Sequence, residues 1–139
     1  MRTVLRILER AGGFRPTLYL KIENPPYMAL VIEAVPEPGP LGVPAISVAH
    51  YGEQNCDLMR DPEMCFELSK PPLCSAMLSA YYYRNDYMGV EQYSRFRDGS
   101  NYVFAPELYE QHQKFAELWD RNLRDRHFVE AFRNKSVRG

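Results

Sequence analysis

Positive charge is almost missing from the middle of this chain. Between Lys21 and Lys70 the sole basic side chain is Arg60. It stands against Glu23, Glu33, Glu37, Glu53, Asp57, Asp61, Glu63 and Glu67, so residues 22–69 carry a net charge of -7. A protein that grips nucleic acid needs lysines and arginines to displace the counterions of the phosphates, and this stretch has none to spare. Long apolar runs are also lacking. Nothing approaches the roughly 20 consecutive apolar residues of a membrane helix, and residues 1–10 are too charged, and their apolar stretch too short, for a secretion signal. Cysteine is scarce: Cys56, Cys65 and Cys74 are nine residues apart and form no C-x-x-C pair. An odd count with no metal-site spacing points to free thiols in a reducing cytoplasm, and no cofactor is implied.

What is present suits one globular domain. The 139 residues are 45% hydrophobic and 25% charged, enough to bury roughly two thirds of the unfolded surface in one core and too apolar for a disordered chain. Ten tyrosines bring large rings whose hydroxyls need partners, which suits half-buried sheet faces or a recognition surface. The charge lost from the middle reappears at the end. From Arg121 onward Arg121, Arg124, Arg126, Arg133, Lys135 and Arg138 face Asp125 and Glu130, a net +4. These cations, with tyrosine and phenylalanine as stacking partners, raise the question of phosphate binding. A basic helix end is equally what the helix dipole favours, and the acidic middle argues against direct nucleic-acid binding.

In order along the chain, Thr3 is placed to cap a helix over residues 1–12 with Val4, Leu5, Leu8 and Ala11 on one face and Gly12 and Gly13 as its stop. Residues 17–23 alternate as a first strand. Residues 28–35 are more continuously apolar, as in a central strand, and the two pair antiparallel across the rigid Pro25-Pro26 connector. Four prolines and two glycines make residues 36–44 a surface loop. Residues 45–51 and 63–68 read as a third and fourth strand with a polar turn between them. In the fourth, Met64, Phe66 and Leu68 face the core while Glu63, Cys65 and Glu67 face solvent. Residues 73–78 fit a helical turn or a loop. Residues 81–93 read as strand, turn and strand about Asn85-Asp86. A helix over 106–128 begins with Pro106 in its first turn and buries a stripe of Leu108, Gln111, Phe115, Leu118, Trp119, Asn122 and Leu123. His112 lies off that stripe, at the surface, and residues 129–139 form a fraying basic tail. The expected architecture is α+β: one domain, a mainly antiparallel sheet over residues 17–95, a long C-terminal helix and a short N-terminal one.

Chemistry is concentrated in residues 50–67. His50, Glu53, Asp57 and Asp61 are one nitrogen and three oxygen donors of the kind that hold a divalent metal in a hydrolase or phosphodiesterase. Their spacing matches no defined motif, and a hydrogen-bonded turn with an acidic rim accounts for the same residues. A Cys-His pair from Cys56 or Cys65 with His50, His112 or His127 is weaker, because neighbouring carboxylates hold a thiol protonated. The other reading is a recognition edge for a positively charged protein. Its contacts would be Glu53, Asp57, Asp61, Glu63 and Glu67, with Tyr81, Tyr82 and Tyr83 as aromatic anchors.

The segments 22–33, 50–55, 57–64, 85–90 and 119–123 resemble a family of small proteins of unknown function found mainly on bacterial plasmids, integrative elements and phages, often beside anti-restriction genes. The resemblance spans residues 17–128 and transfers no catalytic residue. One departure is Cys56, where the family pattern has a glycine after the asparagine, which leaves a tight turn there open. The resemblance implies a setting in which small proteins counter host defence. The combined expectation is a non-enzymatic, cytoplasmic interaction module, an inhibitor of a CRISPR or restriction nuclease, working through the acidic segment. The metal-dependent hydrolase is the alternative. Oligomeric state is not encoded in any of these features.

Overall fold

The β-branched and aromatic runs between Tyr19 and Phe104 build strands, and the two amphipathic segments at the ends of the chain build helices. The computed structural model describes residues 1–70 and 75–132. Helix α1 spans Arg2–Arg10, followed by β1 (Tyr19–Asn24), β2 (Tyr27–Ala34), β3 (Ala45–Gln54), β4 (Asp57–Ser69), β5 (Met77–Asn85), β6 (Val90–Tyr93), β7 (Arg95–Asp98), β8 (Asn101–Phe104) and α2 (Pro106–Asp125). Strands β1 to β6 form a six-stranded sheet in sequence order, with β7 and β8 as a separate two-stranded ribbon. Every pairing is antiparallel. The fold is therefore α+β, as expected from the sequence.

One face of the sheet is the core. Ile22, Leu30, Ile32, Ile46, Val48, Met64, Phe66 and Ala80 pack there against Val4, Ile7 and Leu8 of α1 and Ala116, Trp119 and Leu123 of α2. Each fully buried aliphatic or aromatic side chain contributes about 1.5–3 kcal/mol, and Phe66 and Ile46, both fully buried in central strands, anchor this layer. Past α2 the chain turns through Arg126 and His127, the latter in the left-handed region at φ 63. Residues 128–132 then re-form a helical turn that buries Phe128 and Val129 against the same core.

Several expectations are corrected. The cap of α1 is Met1 rather than Thr3. Thr3 is buried, and its backbone N–H donates to Asp120 Oδ1 of α2 at 2.9 Å, so a carboxylate from the neighbouring helix satisfies a free N–H at the positive end of α1. The inward face of α1 accordingly carries Thr3, Val4, Ile7 and Leu8. The stripe of α2 is also rotated: His112, Ala116, Trp119 and Leu123 are buried, while Leu118 is 52% exposed. His112 goes inside because Gln92 of β6 meets its Nε2 at 3.0 Å and Tyr83 lies 5.7 Å away ring to ring. A polar ring with such partners fills a core position that hydrophobic periodicity does not assign to it. The chain reverses between β1 and β2 within Pro25-Pro26, whose peptide is cis, the geometry of a tight proline turn rather than an extended connector. Of residues 73–78, Met77 opens β5, and positions 73 and 74 lie outside the described residues, as do 133–139 of the basic tail.

Candidate functional site

Strand β4 begins six residues before its expected start because the polar residues after Cys56 continue the ladder. Gln54 pairs with Asp57, Glu53 with Leu58, Gly52 with Met59 and Tyr51 with Arg60. Asn55 and Cys56 alone make the turn, at φ 53 and 70. Two successive left-handed residues give the turn whose twist matches a hairpin, so the tight turn forms even with cysteine in the second position. The result is a two-stranded arm, set off from the main sheet by a register shift between Ala49 and Tyr51, where Asp61-Pro62 opposes His50. Gly52 lets the arm rest on Tyr87: a methyl group there would meet the Tyr87 hydroxyl at 2.5 Å.

The acidic residues of the segment have three different fates. Glu53 and Asp57 stand exposed on the arm, and neither carboxylate takes part in a hydrogen bond or ion pair among the described residues. Leu58 beside them is 71% exposed. Asp61 turns inward to accept from Asn85 Nδ2 at 3.0 Å, and Asn85 accepts in turn from the Met88 N–H, which ties the arm's base to the β5–β6 turn. Glu63 accepts from Ser47 Oγ at 2.5 Å and pairs with Arg60 Nε at 3.0 Å. Glu67 is 2% exposed. Its carboxylate receives Arg95 Nη1 at 2.6 Å and the Leu41 N–H at 2.9 Å. The expectation of a solvent-facing acidic row at Glu63, Cys65 and Glu67 is therefore wrong. The row points away from the helices, but Arg95 of the β7–β8 ribbon and the loop over residues 36–44 cover Glu67, and Ser47 and Arg60 engage Glu63. Gly39 in that loop lies so close to Glu67 that a side chain there would collide with it.

The tyrosine anchors are likewise occupied. Tyr82 is buried, donates its hydroxyl to Glu91 at 2.5 Å and lies 4.8 Å from the Tyr93 ring. Tyr83 faces the helices, edge-on to Phe115 at 5.3 Å. Tyr81 is half-buried beside Arg95, whose guanidinium carbon is 6.0 Å from its ring centroid.

The alternative metal set does not assemble. His50 is buried on the helix side, its Nδ1 3.1 Å from the Ala29 carbonyl and its ring 5.6 Å from both Trp119 and Phe128. Burial holds its pKa below the ordinary histidine value. Glu53 and Asp57 are out on the arm, and Asp61 is engaged by Asn85. Among the described residues no three His, Cys, Asp or Glu side chains are grouped to hold a metal ion. A Cys-His nucleophile is not formed by Cys65 either: burial, with Glu63 adding to it, pushes that thiol up to about 12. Cys56 is exposed at the arm's tip, and Cys74 lies outside the described residues.

The register also sets out a surface that the acidic-segment reading overlooked. On the sheet face away from the helices, one cross-strand row runs Tyr19, Glu33, Ser47, Cys65, Tyr82 and Tyr93. The next runs Lys21, Val31, Ala49, Glu63, Arg84 and Glu91. Arg84 and Arg60 converge on Asp86, at 2.6 and 3.9 Å, and Asp86, held chiefly by the Arg60 N–H, has its pKa lowered. At the β1–β2 end, small Ala29 and Val31 form the floor of an open groove of about 630 Å³. Tyr19, Lys21, Glu23 and Glu33 border it on one side, and Tyr51, Leu58 and Arg60 on the other. The alternation in residues 17–23 was the available signal for its rim. Its other wall comes from the arm, which reads as a polar turn in the sequence.

Comparison with known proteins gives one match to a family: the model described as "Domain of unknown function (DUF6908)" covers residues 2–129. No curated protein and no solved structure matches. Among the described residues no helix is long and apolar enough to cross a membrane.

Proposed function

The chain belongs to the DUF6908 family, a domain of unknown function, and from that premise we propose that it is a non-enzymatic protein-interaction module whose contact element is the β3–β4 arm. The observation that carries this reading is the arm's tip, where the Glu53 and Asp57 carboxylates are exposed without a cation among the described residues; Glu53 stands directly across from Leu58, itself 71% exposed, and Asp57 projects from the other face of the same tip. An unneutralised carboxylate beside an exposed apolar side chain, with a second carboxylate at the same tip, complements a basic surface that carries an apolar pocket, the arrangement in which charge gives orientation and the buried side chain gives affinity. A basic surface of that kind is what a protein uses to hold nucleic acid.

We assign the partner to the nucleic-acid-handling effectors of host defence, a CRISPR or restriction nuclease. The sequence resemblance to a family carried on plasmids, integrative elements and phages supports that class, since genes in such settings gain from blocking it. Of the acidic residues first considered, Glu53 and Asp57 remain as contacts, joined by Leu58, whereas Asp61, Glu63 and Glu67 serve the fold. The test is a plating assay of unmodified phage on restriction-positive and CRISPR-positive cells expressing the chain, paired with co-purification of the nuclease. The wild-type chain should raise plating and retain the nuclease, and Glu53→Lys/Asp57→Lys should abolish both while leaving the circular dichroism spectrum unchanged. Retention of the nuclease by the reversed arm, or no protection by the wild-type chain, overturns the proposal.

A further inference from the structure

We infer that the open groove beside the arm is a second contact site, one that takes an extended segment of the partner with an arginine seated at Glu33. This deepens the interaction reading above and rests on it for the partner, but its arginine seat is read from different residues, Leu58 alone being shared with the arm. Glu33 borders the groove and is half-buried. Its carboxylate has no hydrogen bond or ion pair among the described residues. Other charges around it are matched: Glu23 by Lys21 at 3.4 Å, and Arg60 by Glu63 at 3.0 Å. Directly opposite Glu33 on β1 stands Tyr19, 58% exposed. A half-buried carboxylate next to an exposed aromatic face suits a guanidinium, which stacks on the ring and bonds the carboxylate through two parallel N–H groups. An ammonium uses the carboxylate but gains less from the ring.

Length and relief define the rest of the ligand. Glu33 and Ala29 point to the same face four residues apart on β2, about 14 Å along the strand. Tyr51 rises from β3 at the Ala29 end, with Leu58 and Arg60 of the arm forming the wall there. The small side chains of Ala29 and Val31 keep the floor low over that span, and the groove's volume of about 630 Å³ is open to solvent along one side. An open trough of this length holds roughly four residues of extended chain, with arginine at the Glu33 end and an apolar side chain against Leu58 and Tyr51.

The experiment uses the whole protein and two blocked tetrapeptides, acetyl-Arg-Ala-Ala-Leu-amide and its reverse, each with a citrulline version that keeps the shape and removes the charge. Amide shifts in two-dimensional NMR should move saturably at residues 19–33 and 49–60 for one of the arginine orders. The citrulline peptide should bind about fivefold more weakly, the size of a partly exposed charge-assisted pair. Glu33→Gln should erase that difference, and Tyr19→Ala should weaken the arginine peptide, while Glu53→Lys/Asp57→Lys should change its affinity less than twofold. Shifts confined to another surface, no saturation up to about 10 mM, or equal binding of arginine and citrulline peptides overturns the groove. Peptide binding that survives when no nuclease is retained overturns only the arm's assigned partner, and the opposite pattern overturns only the groove.

Discussion

Removing the Glu67 carboxylate should come close to unfolding the protein. Glu67 and Arg95 keep only 3% and 4% of their side-chain surface exposed and meet at 2.6 Å. Arg95 also donates to the carbonyls of Ala80 and Ser79, each at 3.1 Å, so it cannot swing out to water without breaking the join between β5 and β7. Glu67→Ala leaves a buried guanidinium without its anion, which costs about 3–5 kcal/mol. It also strands the Leu41 N–H, adding about 1 kcal/mol. Against a total stability of about 5–15 kcal/mol, a loss of about 4–6 kcal/mol lowers the melting temperature by roughly 13–20 °C, since a chain of this size loses about 0.3 kcal/mol per degree near its midpoint. Urea unfolding followed by far-ultraviolet circular dichroism measures it. The double variant Glu67→Leu/Arg95→Met removes both charges together and should recover most of the loss, ending within about 2 kcal/mol of the wild type. A single-variant loss below about 1.5 kcal/mol, or a double variant as damaged as the two single losses combined, would refute the claim that this pair is a buried joint rather than a solvated surface contact.

Three further outcomes are expected. Cys56→Gly should raise stability by about 0.5–1 kcal/mol, because a side chain at φ 70 carries a left-handed penalty that glycine escapes, and any loss in the urea midpoint contradicts the turn geometry. Alkylation by iodoacetamide at pH 8, mapped by peptide mass, should mark exposed Cys56 within minutes and leave Cys65 unmarked until urea is added, and labelling of both at one rate counts against the burial of Cys65. Burial depresses the folded-state pKa of both His50 and His112 below 6.5, so the unfolded chain binds protons first. Their contribution to stability is complete above pH 6.5 and falls as pH drops below it, each with a slope of up to about 1.4 kcal/mol per pH unit. Unfolding midpoints between pH 5 and 7.5 should show that slope and lose it in His50→Gln/His112→Gln, and an unchanged slope in the variant refutes the assignment.

The parts of this protein that can be read from its sequence are those governed by neighbours along the chain. Proline and glycine density marks residues 36–44 as a loop, and apolar runs place β2, β3 and the later half of β4. Pro106 opens α2, and the paired glycines after α1 stop it, because turn chemistry and helix starts act over a few residues. The site depended on partners distant in the chain. Glu67 reads as a surface acid until Arg95 and Leu41 reach it from 28 and 26 residues away. His112 reads as exposed until Gln92 and Tyr83 receive it, and residues 57–61 read as a turn until Tyr51, Gly52 and Glu53 pair with them. Charge counted along the chain therefore described the composition of residues 22–69 correctly and their surface incorrectly. A carboxylate's role is set by whether a cation is folded against it. Only the tertiary structure decided that Asp61, Glu63 and Glu67 are engaged within the fold, while the Glu33, Glu37, Glu53 and Asp57 carboxylates meet no cation among the described residues.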